Sequence, residues 1–378
     1  MLVMSKKSSL LKVAAINAAG FGVALLAGEI ALRIIKPEAL SARLAMNQQL
    51  REGNHQSQAL FEKKNFRFKP NSRGQTSHSE YQHSSQHDQY GWRNPCFDHS
   101  KPATAIIIGD SYTYGIGVSD ADLLQCQAKI FSPDSNIYAM GIPGAAISQY
   151  LRILNTHSDV IQELKPSNKT VNLALCMGND FEDLIAYGLP KNAQESETAL
   201  AMPQFQRSGS KQVLSSINTA LMQQAWIADL RLVQALKLGI LQNSKIKDHG
   251  NFYSNYGGQT LYKKTSPDQT IALTRALNKL KNDFSTAGFK LGTIVLIPDG
   301  NEVSDDRLER DAQLGGFKSS DINSSYKFDG MLNACKKSGL KCIDFRDKLK
   351  GDDYYVYDGH FRPSGVKAMA KSIMNDLQ

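Results

Sequence analysis

The stretch AIIIGDSYTYG, Ala105–Gly115, decides how this chain reads. Three consecutive β-branched isoleucines follow an alanine, an apolar run of strand length, and the run stops at Gly109-Asp110-Ser111. Outward from it the same texture repeats. Ile137–Met140 is a second strand candidate, closed by Gly141-Ile142-Pro143-Gly144. Val171–Cys176 is a third, closed by Met177-Gly178-Asn179-Asp180, and Gly292–Ile297 a fourth, closed by Pro298-Asp299-Gly300. Lys341–Phe345 is a fifth, and Pro363–Leu377 reads as a closing helix with proline at its start. Strands apolar on both faces and separated by helical segments predict a parallel sheet covered on both sides.

In such sheets, sites form outside the carboxyl ends of the strands. The unusual residues of this sequence fall there. The first strand delivers Ser111, the second Gly144, the third Asn179, and the loop beyond the last strand Asp358-Gly359-His360. A serine hydroxyl is a weak nucleophile until a base takes its proton. His360 is the candidate base, because a neutral imidazole accepts a proton near neutral pH. Asp358 is the candidate that orients it and stabilises the imidazolium. The backbone N–H groups of Ser111 and Gly144 and the side-chain amide of Asn179 are candidate donors to an oxyanion. Glycine at 144 would let the backbone approach closely. Each motif alone also reads as a plain turn; their order and shared placement at strand ends make the case.

The bulk numbers bound the rest. The 378 residues are 41% hydrophobic and 21% charged, enough for one large domain with appendages or for two domains. The net charge of +8 reads either as a basic soluble surface or as attraction to anionic partners. No dense Lys/Arg run with interleaved aromatics occurs, which argues against a nucleic-acid partner. The five cysteines include no C-x-x-C pair, against a structural zinc site, and their odd number argues against a full disulfide framework. Cys176 reads as a buried thiol, and Cys335 and Cys342 as a pair able to join if geometry allows.

Residues 1–36 begin with Lys6, Lys7 and Lys12, and Val13–Gly28 carries no charge. That uncharged part measures about 24 Å as a helix, short for a bilayer core, but the apolar character resumes through Ile35. The basic start favours a signal-anchor helix with its N-terminus inside. A cleaved signal peptide and a buried soluble helix are the alternatives; no clean small-x-small cleavage site precedes Glu29. Either membrane-directed reading places the main domain outside the cytoplasm. Residues 37–100 are polar and rich in Gln, His and Ser, and read as a solvated connector. His78, His83, His87 and His99 lie in it, at spacings that match no ligand pattern. Residues 101–378 then form the catalytic domain, with a helical insertion over about 181–268 whose most helix-like part is Leu214–Leu241.

The motif order resembles the SGNH/GDSL hydrolase family. Gly109-Asp110-Ser111 looks like its nucleophile block, and Gly144 like the oxyanion glycine of the second block. Gly178-Asn179-Asp180 resembles the third block, and Asp358 with His360 the fifth. The resemblance covers about residues 90–378 apart from the insertion. It implies a flavodoxin-like three-layer α/β/α sandwich with no metal or other cofactor. Two features depart from the common pattern. Tyr357 stands where the family aspartate usually does, so that Asp358 is one residue closer to His360, and Tyr112 follows the nucleophile. Both are similar to a membrane-anchored, cell-envelope-associated subgroup, as are Glu29-x-x-Leu32-Arg33, Tyr90-Gly91-Trp92-Arg93 and the segment from Ile297-Pro298 to Val303.

The expected activity is that of an extracytoplasmic serine esterase acting on an acylated glycan or lipid. An O-acyltransferase would use the same acyl-enzyme and pass the acyl group to a sugar hydroxyl; closure of the site by the insertion would favour transfer. A non-catalytic glycan-binding or scaffold protein is the reading from another class, and it has no need of Ser111, Asn179 and His360 together.

Overall fold

The computed structural model describes residues 3–35, 60–78, 80–189, 230–232, 235, 267–315, 319–323, 325–356 and 358–373. Its strands, in chain order, are β1 Phe61–Glu62, β2 Arg67–Phe68, β3 Arg73–Ser77, β4 Gln82–Gln86, β5 Ala105–Gly109, β6 Ile137–Gly141, β7 Thr170–Cys176, β8 Lys290–Ile297 and β9 Cys342–Asp344. The last five form one sheet in the order β6-β5-β7-β8-β9, every pair parallel. The isoleucine run is thus an inner strand. Counted along the chain the order is 2-1-3-4-5, in which the connection reverses direction beside the first strand. That reversal opens a crevice between the carboxyl ends of β5 and β7.

Alternation along the strands builds two cores. Ile106 and Ile108 of β5, Leu173 and Leu175 of β7, and Ile294 and Leu296 of β8 belong to one cluster of buried side chains. Ala105 and Ile107, Ala174, and Val295 and Ile297 belong to the other. Successive residues of a strand point to opposite faces, so each strand feeds both layers. The first cluster is completed by helices Ile147–Thr156, Asp180–Gly188, Pro267–Thr286 and Tyr326–Ser338, and the second by Leu124–Phe131 and Pro363–Ile373. The result is a three-layer α/β/α arrangement. Asn172 binds the sheet across its middle: its amide donates to Ile106 O at 3.1 Å and accepts from Thr293 N at 2.9 Å, where the β7–β8 register shifts.

The segment expected to be a solvated connector is folded from residue 60 onward. β1 pairs with β2 and β3 with β4, both antiparallel, and Trp92 is fully buried. Asn94 pairs with β6 at the sheet edge, donating to Ala139 O and accepting from Ala139 N, both at 2.9 Å. The guanidinium of Arg93 is buried and saturated: it pairs with Asp120 at 2.8 Å and donates to Gly115 O at 2.6 Å, Val118 O at 2.8 Å and Ser84 O at 3.0 Å. A disulfide joins Cys96 to Cys126, a second joins Cys335 to Cys342, and Cys176 is a buried free thiol. The first residues read as insertion belong to the core, since Phe181 and Leu184 are buried in the helix Asp180–Gly188. Most of the remainder of that stretch, Leu214–Leu241 included, lies outside the described residues, apart from 230–232 and 235.

The chain divides into two compact units, Met1–Arg51 with Phe205–Lys247, and Glu52–Gln204 with Asp248–Gln378. In the first, Val3–Ile35 is one helix. Phe21, Val23, Leu26, Ile30, Ile34 and Ile35 are exposed along it, while the Glu29 carboxylate accepts from Leu232 N at 2.9 Å. Among the described residues no helix is long and apolar enough to cross a membrane.

Candidate active site

β5 runs out at Gly109, and Asp110 caps the short helix Ser111–Tyr114 by accepting the Tyr112 N–H at 3.0 Å. This turn lifts Ser111 off the sheet at the crevice. Its hydroxyl Oγ lies 2.8 Å from His360 Nε2, and His360 Nδ1 lies 2.8 Å from Asp358 Oδ1. The three residues come together although the hydroxyl and imidazole are 249 positions apart. Both contacts are within the range of strong hydrogen bonds.

Asp358 and His360 stand only two residues apart, and Gly359 between them has φ +84°. That left-handed conformation, which a side chain would strain, turns the backbone enough to bring the carboxylate onto the ring. The loop is held on several sides. Tyr112 donates its phenol O–H to Gly359 O at 2.9 Å, and its ring lies 5.1 Å from that of His360. Tyr355 N donates to His360 O at 2.9 Å, and Arg307 donates to Tyr355 O at 2.7 Å. Tyr112, the departure from the common pattern, therefore braces the histidine loop.

The electrostatics favour a competent base. Burial pulls the His360 imidazole pKa down, but the Asp358 charge and hydrogen bond outweigh it, helped by Asp110 and Asp299, and the net shift is upward. Burial pushes the Asp358 carboxyl up, but His360 more than compensates, so Asp358 stays ionised with a pKa below its ordinary value. The Asp358 side chain is 1% exposed and that of His360 21%, so the carboxylate is sealed while the ring meets the crevice. Two buried carboxyls are shifted upward along the line of interactions that runs from His360 through Asp110 and Asp299 to Glu302. Burial raises Asp110 to about 6, and burial followed by the charge of Asp299 raises Glu302 to about 8.

Gly144 and Asn179 lie in the loops that follow β6 and β7, the strands on either side of β5. β6 is in register with β5 at Gly109–Gly141, and Gly144 follows three residues later, exposed. Its φ is +73°, and a Cβ there would meet nothing within 4 Å. That left-handed conformation favours glycine at this position. Asn179 sits at the N-cap of Asp180–Gly188, makes no capping bond to that helix, and is exposed. An asparagine at an N-cap ordinarily caps; here the amide is left for other use. Its neighbour Asp180 is structural, accepting from Tyr150 O–H and Cys176 N, each at 2.9 Å.

The sequence reading missed the β3–β4 hairpin as part of this site. Its tip residue Glu80 accepts the N–H groups of Val356 and Asp358. β4 alternates exposed and buried, but the inward residues are His83 and Ser85, so the period of two carries no hydrophobic amplitude.

No protein-family model matches the chain, and no curated protein matches it. Among solved structures, the crystal structure of a carbohydrate acetylesterase family member from Sinorhizobium meliloti aligns over 72% of this chain and 98% of its own. Its sequence identity is 10% and its TM-score 0.36. Two further crystal structures align over 73% of this chain and 98% and 96% of theirs, with identities of 10% and 12% and TM-scores of 0.36 and 0.35. Likeness at this level says nothing about activity, which must be read from the site itself.

Proposed function

We propose that this chain is a serine esterase of the SGNH/GDSL type, acting on acyl esters of a cell-envelope glycan or lipid. The observation that carries the reading is the unbroken relay from Ser111 Oγ through His360 to Asp358, with 2.8 Å at each contact. His360 Nε2 takes the Ser111 proton as Oγ attacks the ester carbonyl carbon. The carbonyl π bond opens and its oxygen becomes an oxyanion, held by the backbone N–H groups of Ser111 and Gly144 and the Asn179 amide. As the oxyanion collapses, the bond to the leaving alkoxide breaks and His360 returns the proton to it. Water, deprotonated by the same imidazole, then releases the acid and restores the Ser111 hydroxyl. The two disulfides support placement in an oxidising compartment. The exposed apolar side chains of the N-terminal helix support attachment to a membrane there.

The test is a fluorophosphonate probe on the chain lacking residues 1–36, with the label mapped by mass spectrometry. Label on Ser111 that disappears in His360→Ala is the expected result. A folded protein that takes no label would overturn the reading.

A further inference from the structure

The hairpin between β3 and β4 ends against the loop that carries Asp358. One oxygen of the Glu80 carboxylate accepts the Val356 N–H at 2.8 Å, and the other accepts the Asp358 N–H at 3.0 Å. Beside it the Tyr81 ring lies 4.8 Å from that of Tyr355, and the Tyr81 phenol interacts with the Asp358 carboxylate. From the opposite side Tyr112 holds Gly359 O. A carboxylate that accepts two backbone N–H groups makes two charge-assisted bonds in a fixed geometry. This matters more here than for an aspartate placed on a regular element. Asp358 reaches His360 only because the loop turns sharply at Gly359, so its aim depends on the backbone at Val356 and Asp358.

We infer that Glu80 is a positioning residue for the Asp358–His360 pair, holding the loop from outside so that the carboxylate meets His360 Nδ1. The inference rests on the triad reading of Ser111, His360 and Asp358. Glu80 touches neither the nucleophile nor the imidazole and acts through the two N–H groups. The site is therefore completed by a segment about 280 residues away along the chain, in line with the 278-position separation of Glu80 and Asp358. The other charged or titratable groups that face the pair are Asp110 and Asp299 around His360, and His78, His83 and Tyr81 around Asp358. None of them bonds the loop backbone in the way Glu80 does.

The experiment follows His360 itself by NMR in the full chain with labelled histidine, in wild type, Glu80→Gln and Glu80→Ala. Two readouts are taken: the downfield proton shared between His360 Nδ1 and Asp358, and the His360 titration. Glutamine keeps the size of the side chain but turns one acceptor into a donor facing an N–H. The expected result is a weakened or lost Nδ1 proton signal in both variants, and a His360 titration moved down toward that of Asp358→Asn. The rate of fluorophosphonate labelling at Ser111 should fall by about tenfold to a hundredfold, as for a catalytic group displaced by a fraction of an ångström to an ångström. An unchanged Nδ1 signal in folded Glu80→Gln would overturn the inference; if Glu80→Ala does not fold, Glu80→Gln decides alone. The hydrolase reading fails separately, through a wild type that takes no label, and the Nδ1 signal still reports on Glu80 in that event.

Discussion

Ser111→Ala should abolish ester cleavage and leave the unfolding midpoint almost unchanged, because the hydroxyl is half-buried at the crevice and fills no core position. His360→Ala should behave alike, and Asp358→Ala should retain more activity, since orientation is partly replaceable where proton transfer is not. Asn179→Ala should lower kcat on the order of a hundredfold, the usual effect of deleting one oxyanion donor; turnover equal to wild type would remove Asn179 from the site. The pH profile follows from the charges. His360 works as a base only when neutral, and Asp358 raises its pKa, so the acid limb of kcat/KM should have its midpoint above the ordinary 6.5. In Asp358→Asn the limb should move to lower pH. Asp110 supplies a stability test of opposite character. Burial raises it to about 6 from 3.8. Its protonated form is therefore favoured on folding. Its contribution is fully present below 3.8 and is lost as pH rises through about 6. Asp110→Asn keeps an oxygen for the Tyr112 N–H. It should be more stable than wild type at neutral pH by on the order of 3 kcal/mol, with the difference vanishing in acid when urea unfolding is compared across that range. Ser111 was legible because it ends the isoleucine run, and Asp358 with His360 because a paired carboxylate and imidazole lie just beyond the last strand; the structure joins these three at 2.8 Å per contact. Glu80 was not legible. Its importance lies in two backbone N–H groups of a distant loop, and no local pattern encodes such a partner.

At the scale of elements, the five strands of the main sheet lie where their apolar runs predict, because burial on both faces gives β5 to β8 a strong signal. The hairpins of residues 61–86 gave little, because beside Phe66 and Phe68 what they bury is polar: Thr76, His83 and Ser85. The Cys96–Cys126 bridge was hidden for a related reason: the two cysteines meet only through the packing of the Trp92 segment against helix Leu124–Phe131. That packing makes the segment a part of the domain. The bridge closes a loop of 30 residues, and its removal in Cys96→Ser with Cys126→Ser should lower stability by about 3–4 kcal/mol on chain-entropy grounds, measured by urea unfolding. A chain starting at residue 101 should fail to fold, because it lacks Trp92 in the core, Arg93 under the nucleophile loop and Asn94 on the edge of β6. A cooperative melt from that fragment would contradict this account of the segment.

The whole molecule combines a doubly wound α/β unit with a unit built on a long N-terminal helix. The exposed apolar side chains of that helix predict that the full chain floats with lipid vesicles while the chain lacking residues 1–36 stays in the aqueous fraction. Equal flotation of the two would place membrane contact elsewhere, or nowhere. The spread of the site along the chain bears on a different matter, the timing of synthesis. Chains emerge from their N-terminus, so Ser111 appears first and His360 arrives 249 residues later. Throughout that interval the serine is an ordinary alcohol with no base beside it. If Ser111 is the nucleophile proposed above, its activation waits until the last loop folds back onto the first strand.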